Sequence, residues 1–314
     1  MKNSLKICLA LIAAALIIVG FTQCGSNAPK PLPQKAMYHW KTVFDLDSAE
    51  QAFIKKHDIG RIYIHMFDVA VEDYAAVPIA TTKFASPVPD SVEIVPVAFI
   101  TLDALRFIEG KEAEYAFLIA ERMIAMCNYN KCGKINELQL DCDWTRSTKG
   151  IYENLCKSTK EHLDSLGIEL SITVRLHQLG ESAPPAHRGV LMLYNTGAIK
   201  DPKTRNSILD INHVKPYVKS VEYPIPLDYA YPAYGWGVLF DNNHFVSIVN
   251  ENATADSTSQ SVRKERPTAA EILAVKQLVE KAVGKPDNRN ILYHLDNTQL
   301  QNYTDNEISQ ILSY

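Results

Sequence analysis

The run Leu138-Gln139-Leu140-Asp141-Cys142-Asp143-Trp144 alternates apolar and polar residues. On a strand this sends Leu138, Leu140 and Cys142 to one face and Gln139, Asp141 and Asp143 to the other. The two acids then stand about 7 Å apart along the backbone. Like charges so placed repel, and one pKa rises. A general acid or a polarising carboxylate is made in this way. The same pair also suits a structural role, bonded to neighbouring strands or capping the next helix. A second run repeats the logic. Ser171, Thr173, Arg175 and His177 share one face, and Leu170, Ile172, Val174 and Leu176 share the other. Arg175 near Asp141 and Asp143 would hold a carboxylate ionised, or would form a purely structural salt bridge. His177 alone reads as a satisfied polar residue rather than a base.

Other apolar runs also end in polar or aromatic residues. Tyr194 and Asn195 close one of them and can hydrogen-bond a sugar hydroxyl, although Asn195-Thr196-Gly197 reads equally as a turn. The stretch Pro226 to Trp236 is rich in rings, among them Tyr231 and Trp236, with Asp228 in their midst. Aromatic faces there would stack on a pyranose or pack in a core. Tyr38 and Trp40 share a face of the first run, Asp68 ends the second, and Leu292, His294 and Asp296 share a face of the last. The candidate catalytic groups are Asp141, Asp143, Asp228 and Asp296, with Asp68 on the same rim. The candidate substrate-binding residues are Trp40, Trp144, Arg175, His177, Tyr194, Asn195, Tyr231 and Trp236. Glu222 lies earlier on its strand and is expected deep or outward.

These residues need a frame that brings strand ends together. Eight strands are predicted: Met37–Lys41, Arg61–Phe67, Val92–Ile100, Glu137–Asp143, Glu169–Leu176, Val190–Asn195, Val221–Tyr231 and Asn290–Asp296. Helices are predicted over Ser48–His57, Lys111–Cys127, Lys149–Leu166, Pro202–Lys219, Ala269–Val283 and Asp305–Leu312. Asp47 and Ser48 can cap the first, Gly167 stops the third, and Thr268 with Glu271 forms a capping box. Alternating strands and helices predict an α/β fold, a (β/α)8 TIM-type barrel with a β-hairpin insertion after strand 7. A doubly wound open sheet is the alternative, but no GxGxxG turn follows an early strand. The hairpin is Val238–Phe240 and Phe245–Val249 around Asp241-Asn242-Asn243-His244. Ala70–Pro89 is expected as a long loop, and Asn252–Arg266 as a mobile one.

The chain has 314 residues, 46% hydrophobic and 22% charged, with net charge −4. That composition builds a core, and with no long basic run it excludes a broad nucleic-acid surface. No GxSxG, HExxH, P-loop or redox CxxC occurs, so hydrolysis by a nucleophilic serine, zinc proteolysis and nucleotide-driven work lose ground. No cofactor and no metal site is expected. Lys2 and Lys6 precede an apolar stretch, Cys8 to Phe21, which is short for a membrane span and right for an export signal. Cys24 follows in the place of a lipidated cysteine, although Gln23 departs from the small residue usual before it. The expected organisation is a signal at 1–23, a Pro-rich tether at 24–36 and one barrel domain at 37–314. The barrel would then be lipid-anchored at Cys24 in a bacterial envelope, on the periplasmic side of the outer membrane, with the lipid as its only membrane contact. Cys127, Cys132, Cys142 and Cys156 remain, as free buried thiols or with a Cys127–Cys132 bridge.

Asp141-Cys142-Asp143-Trp144-Thr145 resembles the fourth-strand motif of family-18 chitinase-type barrels, Asp-x-Asp-Trp-Glu. In that family the final Glu is the acid, and here its place is taken by Thr145. A longer resemblance runs through Asp141–Trp144, Arg175–Gln178, Arg188–Asn195 and Leu227–Pro232. Those segments are similar to a group of Bacteroidales lipoproteins and to a domain-of-unknown-function family of TIM-barrel glycosidase type. The resemblance implies the barrel and an envelope location. Three functions follow as expectations. One is glycoside hydrolysis through carboxylates at the barrel mouth, with a second acid from Asp228 or Asp296. Another is glycan or peptidoglycan binding without catalysis. The third is a role as an envelope scaffold.

Overall fold

The computed structural model describes residues 35–219 and 222–314. The expected signal, Cys24 and most of the tether lie outside them. Lys35 and Ala36, expected in the tether, already belong to the first strand, and Ala36 is fully buried.

The strands in chain order are β1 (Lys35–His39), β2 (Val43–Phe44), β3 (Ile59–Glu72), β4 (Ala75–Ile79), β5 (Lys83–Phe84), β6 (Glu93–Ile100) and β7 (Glu137–Asp141). They continue as β8 (Glu169–Arg175), β9 (Arg188–Met192), β10 (Leu227–Pro232), β11 (Trp236–Asp241), β12 (His244–Val249), β13 (Gln260–Glu265) and β14 (Asn290–Tyr293). Parallel pairing runs β1-β14-β10-β9-β8-β7-β6-β3, and β3 pairs back to β1. The eight-stranded barrel is therefore closed, and each predicted barrel strand is present. Strand alternation separates two cores. Ala36, Tyr38, Tyr63, Val95, Val97, Val190, Met192, Ala230 and Ile291 fill the interior. Their neighbours, such as Met37, Ile62, Ile64, Leu191 and Tyr229, face the helices.

The helices over Ser48–Lys56, Lys149–Leu166 and Ala269–Ala282 carry the ends read from the sequence. Asp47 caps the first and Thr268 with Glu271 boxes the third, while left-handed Gly167 closes the second. Four expectations are corrected. The helix expected over Pro202–Lys219 shrinks to one turn, Ile211–Val214. Ahead of it the Asn206 side chain accepts from the Ile208 and Leu209 amides, a local turn that competes with helix. The seventh barrel strand starts at Leu227, not Val221, because Pro224 and Pro226 cannot donate to a ladder. The long loop after β3 is a hairpin: β3 runs to Glu72 and pairs antiparallel with β4 through Asp73 and Tyr74, both at positive φ. The segment expected as a mobile loop contains β13, which joins β11 opposite β12. The inserted hairpin itself is as expected, with Asn242 and Asn243 both at positive φ in its two-residue turn.

The N-terminal end of the barrel is closed by buried ions. Arg61, which begins the inward row of β3, bonds Glu137 and lies 2.5 Å from Glu93. Arg289 donates to Asp228 at 2.9 Å and to the Tyr63 hydroxyl at 3.0 Å. The amides of Asn288 and Arg289 also donate to Asp228, each at 2.9 Å. Asp228 is fully buried. It was expected at the mouth; the late start of β10 makes it the strand's second residue and places it in this floor. Burial alone would raise the Glu137 carboxyl, but Arg289 and Arg61 hold it below its ordinary value. Breaking a buried pair strands the remaining charges, so Arg289→Met should destabilise the fold by about 3–5 kcal/mol. Urea unfolding near neutral pH measures this.

Candidate functional site

Asp141 is the last residue of β7 and Arg175 the last of β8. Asp141 is 2% exposed. Its Oδ1 accepts from Thr173 Oγ1 at 2.6 Å and from Arg175 Nη2 at 2.9 Å. The Nε of the same guanidinium donates to Asp143 Oδ1. Two residues beyond Asp141, Asp143 has a side chain 52% exposed. Period-two alternation thus sends both acids inward, as the sequence predicts, and both close on one arginine. Burial raises the Asp141 pKa, Arg175 pulls it back and Asp143 adds to the rise, leaving it above its ordinary value. Burial works against the Arg175 charge, but Asp141 leads the groups that hold it protonated. Gln178 fixes the strand exits: it accepts from the Arg175 amide at 2.8 Å and donates to the Trp144 carbonyl at 3.0 Å.

β3 supplies a third acid. Its register with β6 shifts between His65 and Phe67. This bulge gives β3 one extra residue and returns Asp68 to the inward face. His65 Nε2 lies 2.7 Å from Asp68 Oδ1. Asp68 aligns with Phe99, and Phe99 with Asp141. The backbones of Asp68 and Asp141 are therefore two strand spacings apart, about 10 Å, with side chains converging inward.

Rings line the rest of the mouth. Tyr293 lies 4.6 Å from Tyr194, 5.6 Å from Tyr234 and 5.7 Å from both Trp40 and Tyr38, between ring centres. Trp40 packs 4.8 Å from the His65 ring. Tyr234 donates to Asn195 Oδ1 at 2.9 Å and packs 5.4 Å from Trp236. The Trp236 indole donates to Glu265 at 3.0 Å. A cleft of about 360 Å³ opens beside them, lined by Asp143, Arg175, Leu176, His177, Met192, Tyr194, Asn195, Thr196 and Tyr217. That volume falls in the ~300–1,000 Å³ range of small-molecule sites.

The structure thus gathers Asp141, Asp143, Arg175, His177, Tyr194 and Asn195 at one opening, with Trp40 and Trp236 in the adjoining ring cluster. Four expected site residues are placed elsewhere or held otherwise. Asp228 is in the floor. Trp144 is 1% exposed and packs outward near Tyr152, because it shares parity with Leu140 and Cys142. Tyr231 is fully buried and faces the helices beside Tyr229. Asp296 caps a short turn by accepting from Thr298 N at 2.8 Å and lies 3.8 Å from Lys41. His177 lines the cleft as expected, but from the 3₁₀ turn Leu176–Gly180 rather than from a strand. Thr145 is engaged locally, its amide donating to Thr148 Oγ1 at 3.0 Å.

Sequence reasoning missed Tyr293, Tyr217 and the His65–Asp68 contact, and it placed Tyr234 only within the ring-rich stretch Pro226–Trp236. Tyr293 was within reach: it pairs with inward Tyr38, but the sequence reading followed the opposite face of its strand, that of Leu292 and His294. The bulge that turns Asp68 inward has no sequence mark.

Arg175→Gln should leave Asp141 buried beside Asp143 without its cation. The Asp141 pKa then rises further. Where the acid is protonated in both folded and unfolded chains, at low pH, the variant loses little on this account. As pH climbs through the ordinary carboxylate range toward the raised folded value, the unfolded chain ionises first and stability falls. The loss near neutral pH should reach up to about 3 kcal/mol, with little from half-exposed Asp143. Urea midpoints across pH check this, and adding Asp141→Asn should restore most of the difference.

No protein-family model matches the chain, and no curated protein sequence matches it. Solved structures share its fold. The spore cortex-lytic enzyme SleL of Bacillus megaterium aligns over 87% of this chain and 73% of its own, with TM-score 0.53 and 10% identity. A chitinase from Chromobacterium violaceum aligns over 90% and 99%, with TM-score 0.53 and 12% identity. A chitinase from Bacteroides thetaiotaomicron aligns over 90% and 97%, with TM-score 0.54 and 11% identity. At these identities the likeness is one of fold, and the chain has the closed TIM-type barrel that these chitinase-like structures share.

Proposed function

We propose that the barrel mouth binds a glycan, and that Asp141 and Asp143 organise this site rather than cleave the sugar. The observation that carries this reading is the shared guanidinium. Most glycosidases place their two carboxyl groups on either side of the bond to be broken, about 5 Å apart for retention and about 6.5–9.5 Å for inversion. Two acids bonded to adjacent nitrogens of Arg175 are not the flanking pair of a two-carboxylate mechanism, and the substrate-assisted route of family-18-type barrels still needs a carboxylic acid where this chain has Thr145. Thr145, where the chitinase-type motif has its acid, supplies no carboxyl group. The cleft, the donors and acceptors on its wall and the neighbouring rings suit a polyhydroxylated ligand with an apolar ring face. The chitinases and the cortex-lytic enzyme of like fold support a glycan as that ligand.

The second reading is hydrolysis, and one observation favours it: Asp68 on β3 and Asp141 on β7 both face the interior, with one strand between them and backbones about 10 Å apart, where two carboxyls could flank a glycosidic bond. One experiment separates the two. Purified protein is titrated with chitooligosaccharides and with peptidoglycan fragments while tryptophan fluorescence and new reducing ends are followed. Saturable binding without new reducing ends is expected, weakened roughly tenfold by Trp40→Ala or Tyr194→Ala. Reducing ends that vanish in Asp68→Asn would establish the second reading, and absence of binding to either glycan would sink the first.

On this reading the segment 1–23 is an export signal, Cys24 carries lipid, and residues 24–34, up to the first barrel strand, hold the barrel off the outer membrane on its periplasmic face. The pattern of Lys2 and Lys6, an apolar run and then Cys24 supports it. Radiolabelled palmitate should enter the wild-type chain and not Cys24→Ser, which should move to the soluble fraction. Equal labelling of both would refute the anchor.

A further inference from the structure

The helix Glu112–Tyr129 ends in a turn that brings two cysteines together. The Cys132 amide donates to the Cys127 carbonyl at 2.9 Å, and the Lys131 amide donates to the Asn128 carbonyl at 3.3 Å. Lys131 is left-handed, at φ 55°. These are the two bonds and the left-handed residue of a Schellman motif. In that motif the residue after the left-handed one folds back onto the residue three positions inside the helix end, and their side chains touch. The contact is ordinarily apolar. Here both positions are cysteine, 0% and 4% exposed, so the turn sets two buried thiol side chains facing each other. Neither is bridged. Cys142 and Cys156 sit elsewhere, in the layer between β7 and the helix Lys149–Leu166, and both are fully buried.

We propose that Cys127 and Cys132 form a dithiol modification site whose oxidant is a disulfide, of a small thiol or of an exchange protein, and which closes to an intramolecular bridge. With oxidised glutathione the Cys132 thiol, the less buried of the two, loses its proton and attacks one glutathione sulfur. A Cys132–glutathione bond forms and one glutathione thiolate leaves. Cys127 then loses its proton and attacks Cys132 Sγ, forming the protein bridge and expelling the second glutathione thiolate. Two protein thiols are oxidised, one glutathione disulfide is reduced to two thiols, and the two protons pass to the departing thiolates. The Schellman turn already directs the two side chains at each other, so the second step needs little backbone movement. The bridge ties the helix end to the segment that leads into β7, the strand that carries Asp141.

This chemistry does not depend on the glycan reading. The bridge as a resident state in the cell depends on export to an oxidising compartment. The test uses the purified full chain incubated with oxidised glutathione under native conditions, then alkylated in denaturant and digested with trypsin, which cuts after Lys131. The expected product has lost two hydrogens and yields the Cys127 and Cys132 peptides cross-linked, with Cys142 and Cys156 alkylated. Its melting temperature should rise by a few degrees and fall back on reduction. Cys127→Ser should stop at a persistent glutathione adduct on Cys132. An adduct that accumulates equally in wild type and Cys127→Ser, a bridge to Cys142 or Cys156, or unchanged thiols after prolonged incubation would overturn the proposal. A bridge that forms in vitro but is absent when thiols are trapped in intact cells supports the site and counts against export.

Discussion

A closed barrel of eight parallel strands leaves no free sheet edge in the wall and sends half of each strand's side chains into a narrow interior. A polar group placed there must find a partner, because leaving it unpaired costs more than burying it bonded. The chain meets this constraint in layers. Arg61, Glu137, Arg289 and Asp228 neutralise one another in the floor. Above them the Tyr38 hydroxyl donates to Gln139 at 2.7 Å, and Gln139 donates to Ser171 at 3.2 Å. At the mouth Arg175 serves two acids at once. The polar character of the cleft follows from that last layer, since it sets what the wall can offer a ligand.

The eight strands were legible because each pairs inward and outward residues at period two, and that signal survives without tertiary knowledge. The convergence of Asp141, Asp143 and Arg175 was legible for the same reason. The misplacements have separate physical origins. Asp228 looked like a strand-end residue only while the strand was taken to start at Val221, and two prolines delay the true start. Trp144 and Tyr231 were taken for their ring chemistry although their parity with Leu140 and Tyr229 points them outward. Asp68 does stand on the rim where it was expected, but it gets there through a bulge, which one inserted residue creates and no local propensity announces.

A shared barrel with chitinases does not carry their chemistry across, because function rests on the site that a fold presents. The departure here is local. Where the chitinase-type motif continues to an acid, this chain turns through Thr145 and Thr148 into the next helix, and the two acids before it are committed to Arg175. The result is a wall of fixed acceptors and donors beside a bank of rings. On the proposed reading such a wall orients a sugar through its hydroxyls and its apolar face together.

The floor has a consequence for how the chain reaches its fold. The bond from Arg289 to the Tyr63 hydroxyl spans 226 residues, and Arg61 bonds Glu137 across 76. Arg61 finds Glu93 and Glu137 inside the first half and Arg289 finds Asp228 inside the second, but the contacts of Arg289 with Tyr63 and Glu137 join the two halves. Those joining contacts form only when β14 docks between β1 and β10, which completes wall and floor together. Contacts of such long sequence separation slow folding. A nascent chain released before β14 has emerged would present β1 and β10 as open edges.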